Sequence, residues 1–155
     1  MELIMLNQKK ILEDIANIRG TNKKIVFTNG CFDLLHKGHE DLIKASFAYG
    51  DKLIIGLNSD DSVKRLKGMG RPIQNEIDRK KALIDSGYVD KVYIFNDDTP
   101  LDLILLIKPD ILVKGGDYTP KEIVGYEEVI SSGGKIKIVP LTPGYSTTSI
   151  IEKMH

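Results

Sequence analysis

Long apolar runs are missing from this chain. No stretch approaches the roughly 20 residues that a membrane-spanning helix needs, so no membrane partner is expected. An excess of one charge is missing too. Lys and Arg number 22, and so do Asp and Glu, so no overall field draws nucleic acid to the surface. A single cysteine, Cys31, excludes an internal disulfide and a Cys-based zinc site. Its thiol is expected simply to be packed. The first residues mix Glu2, Asn7, Gln8, Glu13 and Asp14 among apolar ones, a pattern unlike a signal peptide. Neither the dinucleotide fingerprint G-x-G-x-x-G nor the P-loop G-x-x-x-x-G-K-[ST] occurs, which weighs against simple NAD binding and P-loop hydrolysis. Internal repeats, low-complexity tracts and linkers are also lacking. What remains, in 155 residues, is one cytoplasmic domain over 1–155 with an N-terminal helical extension at 1–22.

Periodicity gives the order of elements. Leu6, Ile11, Leu12, Ile15 and Ile18 have helical spacing, with Gly20 as the stop. Residues 24–28, 53–57, 91–95, 111–113 and 135–139 are short apolar runs that predict buried strands. Helices are predicted at 38–49, from Ser59 or Asp60 to Leu66, at 75–86, from Thr99-Pro100 to just before Pro109, at 120–132, and from Ser146 onward. Strands alternating with helices predict an α/β fold: a doubly wound, Rossmann-like, five-stranded parallel sheet with helices on both faces. Ligands of such sheets lie beyond the carboxyl ends of the strands. The segments to inspect are therefore 29–39, 58–61, 96–99, 114–118 and 141–148.

The first of these runs Asn29-Gly30-Cys31-Phe32-Asp33-Leu34-Leu35-His36-Lys37-Gly38-His39. A strand-to-helix turn gathers backbone N–H groups and the positive end of a helix, which suits phosphate. His36 and His39, at i and i+3, would face the same way, and Gly38 between them admits a bulky ligand. A zinc pair would need a third ligand, and none is evident nearby. Ser146, Thr147 and Thr148 offer hydroxyls at another helix start. Between Lys64 and Lys81 stand seven basic residues against two acidic ones. Among them, Lys67 and Arg71 sit in a glycine-rich loop expected to close over a triphosphate and its acceptor. Asp33 is the acid that follows the glycine turn. Lys114, Gly116 and Asp117 follow the fourth strand, where paired glycines allow close approach.

The run His36-Lys37-Gly38-His39 resembles the H-x-G-H signature of the cytidylyltransferase-like nucleotidyltransferases. Tyr145-Ser146-Thr147-Thr148-Ser149-Ile150 is similar to that family's second motif, and Tyr88-Val89-Asp90 to its R-Y-V-D element, although Gly87 stands where some members have Arg. The resemblance spans about Lys24 to Lys153. Within the family, the runs 27–33, 58–60, 65–68, Arg71-Pro72 and 113–118 are most similar to the adenylyltransferase domain of bacterial heptose biosynthesis proteins. That implies transfer of AMP from ATP to D-glycero-β-D-manno-heptose 1-phosphate, releasing pyrophosphate, for lipopolysaccharide core. It implies catalytic roles for His36, His39 and Lys67. It implies nucleotide contacts from Asn29, Gly30, Cys31, Phe32, Arg79, Asp90, Ser146, Thr147 and Thr148. It also implies acceptor contacts from Asp33, Arg71, Lys114, Gly116 and Asp117. Mg²⁺ would arrive with the triphosphate rather than on protein side chains, and the partners would be ATP, a sugar 1-phosphate and a second copy in a homodimer. In many such proteins this domain is fused to a sugar kinase, for which 155 residues leave no room. A cytidylyltransferase acting on glycerol 3-phosphate or another small alcohol phosphate is the alternative. A nucleotide-binding regulator and a flavodoxin-like redox module are readings from other classes, and the histidine pair argues against the latter.

Overall fold

The computed structural model describes residues 2–141 and 143, with side chains from Gln8 onward. The predicted helix from Ser146 lies outside these residues. Five strands form one sheet: β1 Ile25–Gly30, β2 Lys52–Asn58, β3 Lys91–Phe95, β4 Ile111–Gly115 and β5 Lys135–Val139. Every pairing is parallel, in the order β3-β2-β1-β4-β5. The chain winds outward from β1 through β2 to β3, then crosses back to place β4 on the other side of β1. That reversal between β1 and β4 is the switch point, where neighbouring loops diverge and leave a crevice.

Helices cover both faces, because each strand is apolar on both sides. On one face α1 (Glu2–Gly20) and α5 (Leu101–Ile107) bury Ile11, Ile15, Leu103, Ile104 and Ile107 against Ile25 and Phe27. On the other, α2 (Lys37–Phe47) and α4 (Glu76–Asp85) bury Ile43 and Leu83 against Val26, Leu53, Ile55 and Leu57. The N-terminal helix is thus part of the core, tied also by Tyr93 Oη donating to Asp14 at 2.7 Å. Gly56 is needed where Phe27 lies flat on β2, since an added Cβ would stand 2.8 Å from Phe27 Cζ.

The short helix α3 (Asp60–Lys67) follows β2, capped by Ser59, and α4 is capped by Asn75. One predicted element needs correction. Residues 120–132 do not form a continuous helix but a 3₁₀ turn at Pro120–Glu122 followed by α6 at Tyr126–Ser131. Ile123 is extended, and Gly125 has φ 93°, a left-handed conformation open to glycine and adverse to helix continuation.

Candidate active site

A cleft of about 690 Å³ opens at the carboxyl ends of the strands, over the switch point. Its floor is the end of β1 and the turn after it, Asn29 to Asp33, followed by His36, Gly38 and His39 at the start of α2. Phe32 and Leu34 have φ of 46° and 55°. These left-handed residues flank Asp33 and turn its side chain inward, where it is 1% exposed.

His36 is the N-cap of α2. Its Nδ1 accepts from the backbone N–H of Gly38 at 3.0 Å and of His39 at 3.4 Å. The backbone N–H of His36 donates in return to Nδ1 of His39 at 3.4 Å. The result is a capping box built from two histidines. The rings stack, with centroids 3.7 Å apart and planes 22° from parallel. Phe32 packs its ring 5.3 Å from His39. Burial pushes the His39 pKa down to about 4, with the charge of His36 adding to the effect. Burial also lowers that of His36. Both rings are therefore neutral at pH 7. Because each Nδ1 accepts, the proton of each neutral ring sits on Nε2. The helix start thus holds two fixed N–H donors beside the backbone amides of its first turn, a combination suited to phosphate oxygens.

Cations stand around this centre. Lys67, at the end of α3, and Lys114, near the end of β4, both line the cleft. Burial lowers the Lys114 pKa, and the charge of Lys67 adds to the effect. Its ammonium also lies 5.2 Å from the centre of the Tyr118 ring. Cys31 lines the cleft half-buried; burial raises its thiol pKa against the pull of Lys67, Arg79 and Arg71.

Several expected contacts are placed differently. Asp33 turns its carboxylate toward the loop after α3. It accepts from Arg71 Nε at 3.1 Å and from the backbone N–H groups of Ile73 at 2.8 Å and Gln74 at 3.0 Å. The loop carrying Arg71 is pinned to the β1 turn, and Arg71 is turned onto Asp33, although both residues still line the cleft. Arg79 needs a larger correction. Its side chain is 0% exposed. Its guanidinium donates to the carbonyls of Gln74, Cys31 and Asn58 and to Asp60 Oδ1, at 2.7–3.0 Å. It ties the ends of β1 and β2 to the loop before α4 and is not among the residues lining the cleft. Asp90 is at the opposite edge of the sheet. It precedes β3, accepts from the backbone N–H of Leu53 at 2.8 Å, and faces Lys52 at 3.7 Å. Gly116 is buried, with its N–H on Val139 O at 2.9 Å, and Asp117 is exposed; neither is among the lining residues. Ser146, Thr147 and Thr148 lie outside the described residues.

The cleft also gathers residues that motif reading missed: Leu42, Asn58, Asp98, Thr99, Val124, Val139, Pro140 and Leu141. Most carry a positional signal, since they end or directly follow a strand. Val124 carries none, because its segment reads as helix. Among the described residues no group of three or more His, Cys, Asp or Glu could hold a metal ion.

A doubly wound parallel sheet with neutral imidazole donors and lysines over its switch point defines a nucleotide- or phosphate-handling α/β protein. Residues 27–153 match the family model described as Cytidylyltransferase-like, and the chain belongs to that family. It is 49% identical over 151 residues to the bifunctional protein HldE of Koribacter versatilis (strain Ellin345), covering 97% of this chain and 31% of that protein. With the bifunctional protein HldE of Marinomonas sp. (strain MWYL1) it shares 51% identity, covering 97% and 32%. The chain thus spans about a third of the length of these curated relatives. A lipopolysaccharide core biosynthesis protein from Thermoplasma volcanium GSS1 has the same fold, with a TM-score of 0.63 at 24% identity over 77% of this chain and 97% of that one.

Proposed function

We propose that the chain transfers AMP from ATP to D-glycero-β-D-manno-heptose 1-phosphate, giving ADP-heptose and pyrophosphate for lipopolysaccharide core. The observation that carries this is the stacked His36–His39 pair, neutral and locked by its own capping box at the floor of a cation-lined cleft. Identity of about one half to the HldE proteins over nearly the whole chain supports the choice within the family.

An oxygen of the sugar phosphate attacks the α-phosphorus in line, and the bond from that phosphorus to the bridging oxygen of pyrophosphate breaks. No covalent enzyme intermediate is required, so catalysis consists of alignment and charge stabilisation. The Nε2–H groups of His36 and His39 donate to phosphate oxygens as charge builds. Lys67 neutralises the departing pyrophosphate, and Lys114 binds the phosphate of the acceptor. Asn29, Gly30, Cys31 and Phe32 present backbone and side chain to the nucleotide. Arg71 meets the acceptor once it leaves Asp33. Ser146, Thr147 and Thr148 form a second phosphate cradle. Mg²⁺ would arrive with the triphosphate and would offset charge on its phosphates. The enzyme works in the cytoplasm as a homodimer, and the whole of 1–155 serves as one catalytic domain.

The test is pyrophosphate release in a matrix of ATP and CTP against heptose 1-phosphate and glycerol 3-phosphate. Release with ATP and the heptose is expected. Activity confined to CTP and glycerol 3-phosphate would replace this proposal with a cytidylyltransferase.

A further inference from the structure

The two ends of the cleft differ in chemistry. Beyond the histidines, on the β4–β5 side, stand Gly115, Val139, Pro140 and Leu141, a wall suited to a flat base. On the β2–β3 side, beside Leu66 and Pro100, stand the polar or charged Asn58, Lys67, Asp98 and Thr99. Two acids line the cleft among the described residues, and they are held very differently. Asp33 is buried and accepts from its own loop. Asp98 is 67% exposed at its side chain, with Oδ1 taken by Arg65 Nε at 2.9 Å. Among the described residues its Oδ2 has no hydrogen bond.

The segment that carries Asp98 is braced on three sides. Arg65 also donates to Asn96 O. Ser59 Oγ donates to Asn96 Oδ1 at 2.6 Å, and Ser62 Oγ to Asp97 O at 3.0 Å. Asn58 Nδ2 supports Ser62 Oγ at 3.0 Å. A carboxylate is thus presented on a rigid support in a cleft that must take two anionic substrates. Beside phosphates alone it would cost affinity through like-charge repulsion. It can gain affinity by meeting hydroxyl donors, and the sugar phosphate carries a longer run of them than the ribose of ATP.

We propose that Asp98 reads the acceptor: its carboxylate, braced by Arg65, accepts hydrogen bonds from hydroxyls of the sugar. The polarity of binding follows. The phosphate of the acceptor points at the histidines, and its hydroxyl end lies against Asp98 and Thr99, under the carboxyl end of β3. This rests on the transferase reading above and adds the residue that selects the acceptor.

The test is steady-state kinetics of pyrophosphate release for the wild type, Asp98→Ala, Asp98→Asn and Arg65→Ala, varying each substrate in turn. Loss of a hydrogen bond to a charged group should raise the KM for heptose 1-phosphate by about ten- to a hundredfold in Asp98→Ala. Asp98→Asn should rise less, and Arg65→Ala least. The KM for ATP should stay within about twofold, since the base binds at the other end. With a sugar 1-phosphate lacking the contacted hydroxyl, wild type and Asp98→Ala should converge. An acceptor KM that is unchanged or lower, or a KM for ATP that rises in step, overturns the proposal. If the wild type accepts only glycerol 3-phosphate, the heptose reading fails, and the same variants against that acceptor still decide Asp98. A wild type without turnover on any pair removes both. Thermal midpoints check that the variants fold.

Discussion

The two edges of the sheet use charged side chains in opposite ways. At the amino edge, an Asp stands directly before β2, β3 and β4, and each closes the same clasp on a neighbouring strand. Asp51 donates its backbone N–H to Lys24 O, and its Oδ2 accepts from Lys24 N. Asp90 does so with Leu53, and Asp110 with Ile25. The opening N–H groups of parallel strands lack ladder partners, and these carboxylates supply them. At the carboxyl edge, the histidine pair, Lys67 and Lys114 line a cleft instead. The lesson is that strand direction assigns the role. A charged residue before a strand belongs to the frame, and one after a strand is available to a ligand.

Arg79 is the exception that binds the two uses together, and it carries the largest expected effect. It lies at the carboxyl edge yet is wholly internal, joining the ends of β1 and β2. Arg79→Ala leaves Asp60 and three carbonyls without their donor. Loss of one partner of a buried charged network costs about 3–5 kcal/mol, so the denaturation midpoint should fall sharply along with activity. A variant of normal stability with only a raised KM for ATP would return Arg79 to the phosphates.

His36→Asn separates frame from chemistry within a single residue. Asn is a strong N-cap, so it keeps the acceptor for the start of α2 while removing the Nε2–H donor. kcat should fall by about 10²–10³, as for loss of one oxyanion-hole donor, with the thermal midpoint nearly unchanged. A kcat within a few-fold of wild type would reduce His36 to a helix cap.

The next effect is one of pH. His39 has its pKa pushed down to about 4, chiefly by burial, while in the unfolded chain it titrates near ~6.5. As pH falls through that window, the unfolded state takes up the proton first, so stability is lost between about pH 6.5 and about 4. The thermal midpoint of His39→Gln should decline less steeply there. Equal slopes would mean that His39 does not carry the effect.

Much of this frame is legible in the sequence. The five strands and their parallel pairing follow from short apolar runs between helical segments, and the histidine turn follows from its spacing. The break at Gly125 is hidden because Ile123, Tyr126 and Ile130 keep helical spacing while the backbone turns away at a single glycine. The commitments of Asp33 and Arg79 are hidden for a different reason. A motif records that a charged residue is present but not which way it points, and both point inward because buried carbonyls and amides from distant loops converge on them. Asp90 was legible after all. It precedes a strand, and the rule that marks strand ends as the ligand side places it at the end of the sheet away from the cleft.

The smallest effect tests that rule directly. Asp90→Ala removes an acceptor from Leu53 N and a partly exposed partner of Lys52. Loss of one such bond costs about 1 kcal/mol, to be read as a modest drop in the denaturation midpoint. The KM for ATP and kcat should not move, because Asp90 sits at the amino end of the sheet and the cleft opens at the carboxyl end. A tenfold rise in the KM for ATP at unchanged stability would show that an amino-edge acid reaches the nucleotide. The division of labour between the two edges would then fail where it is drawn most sharply.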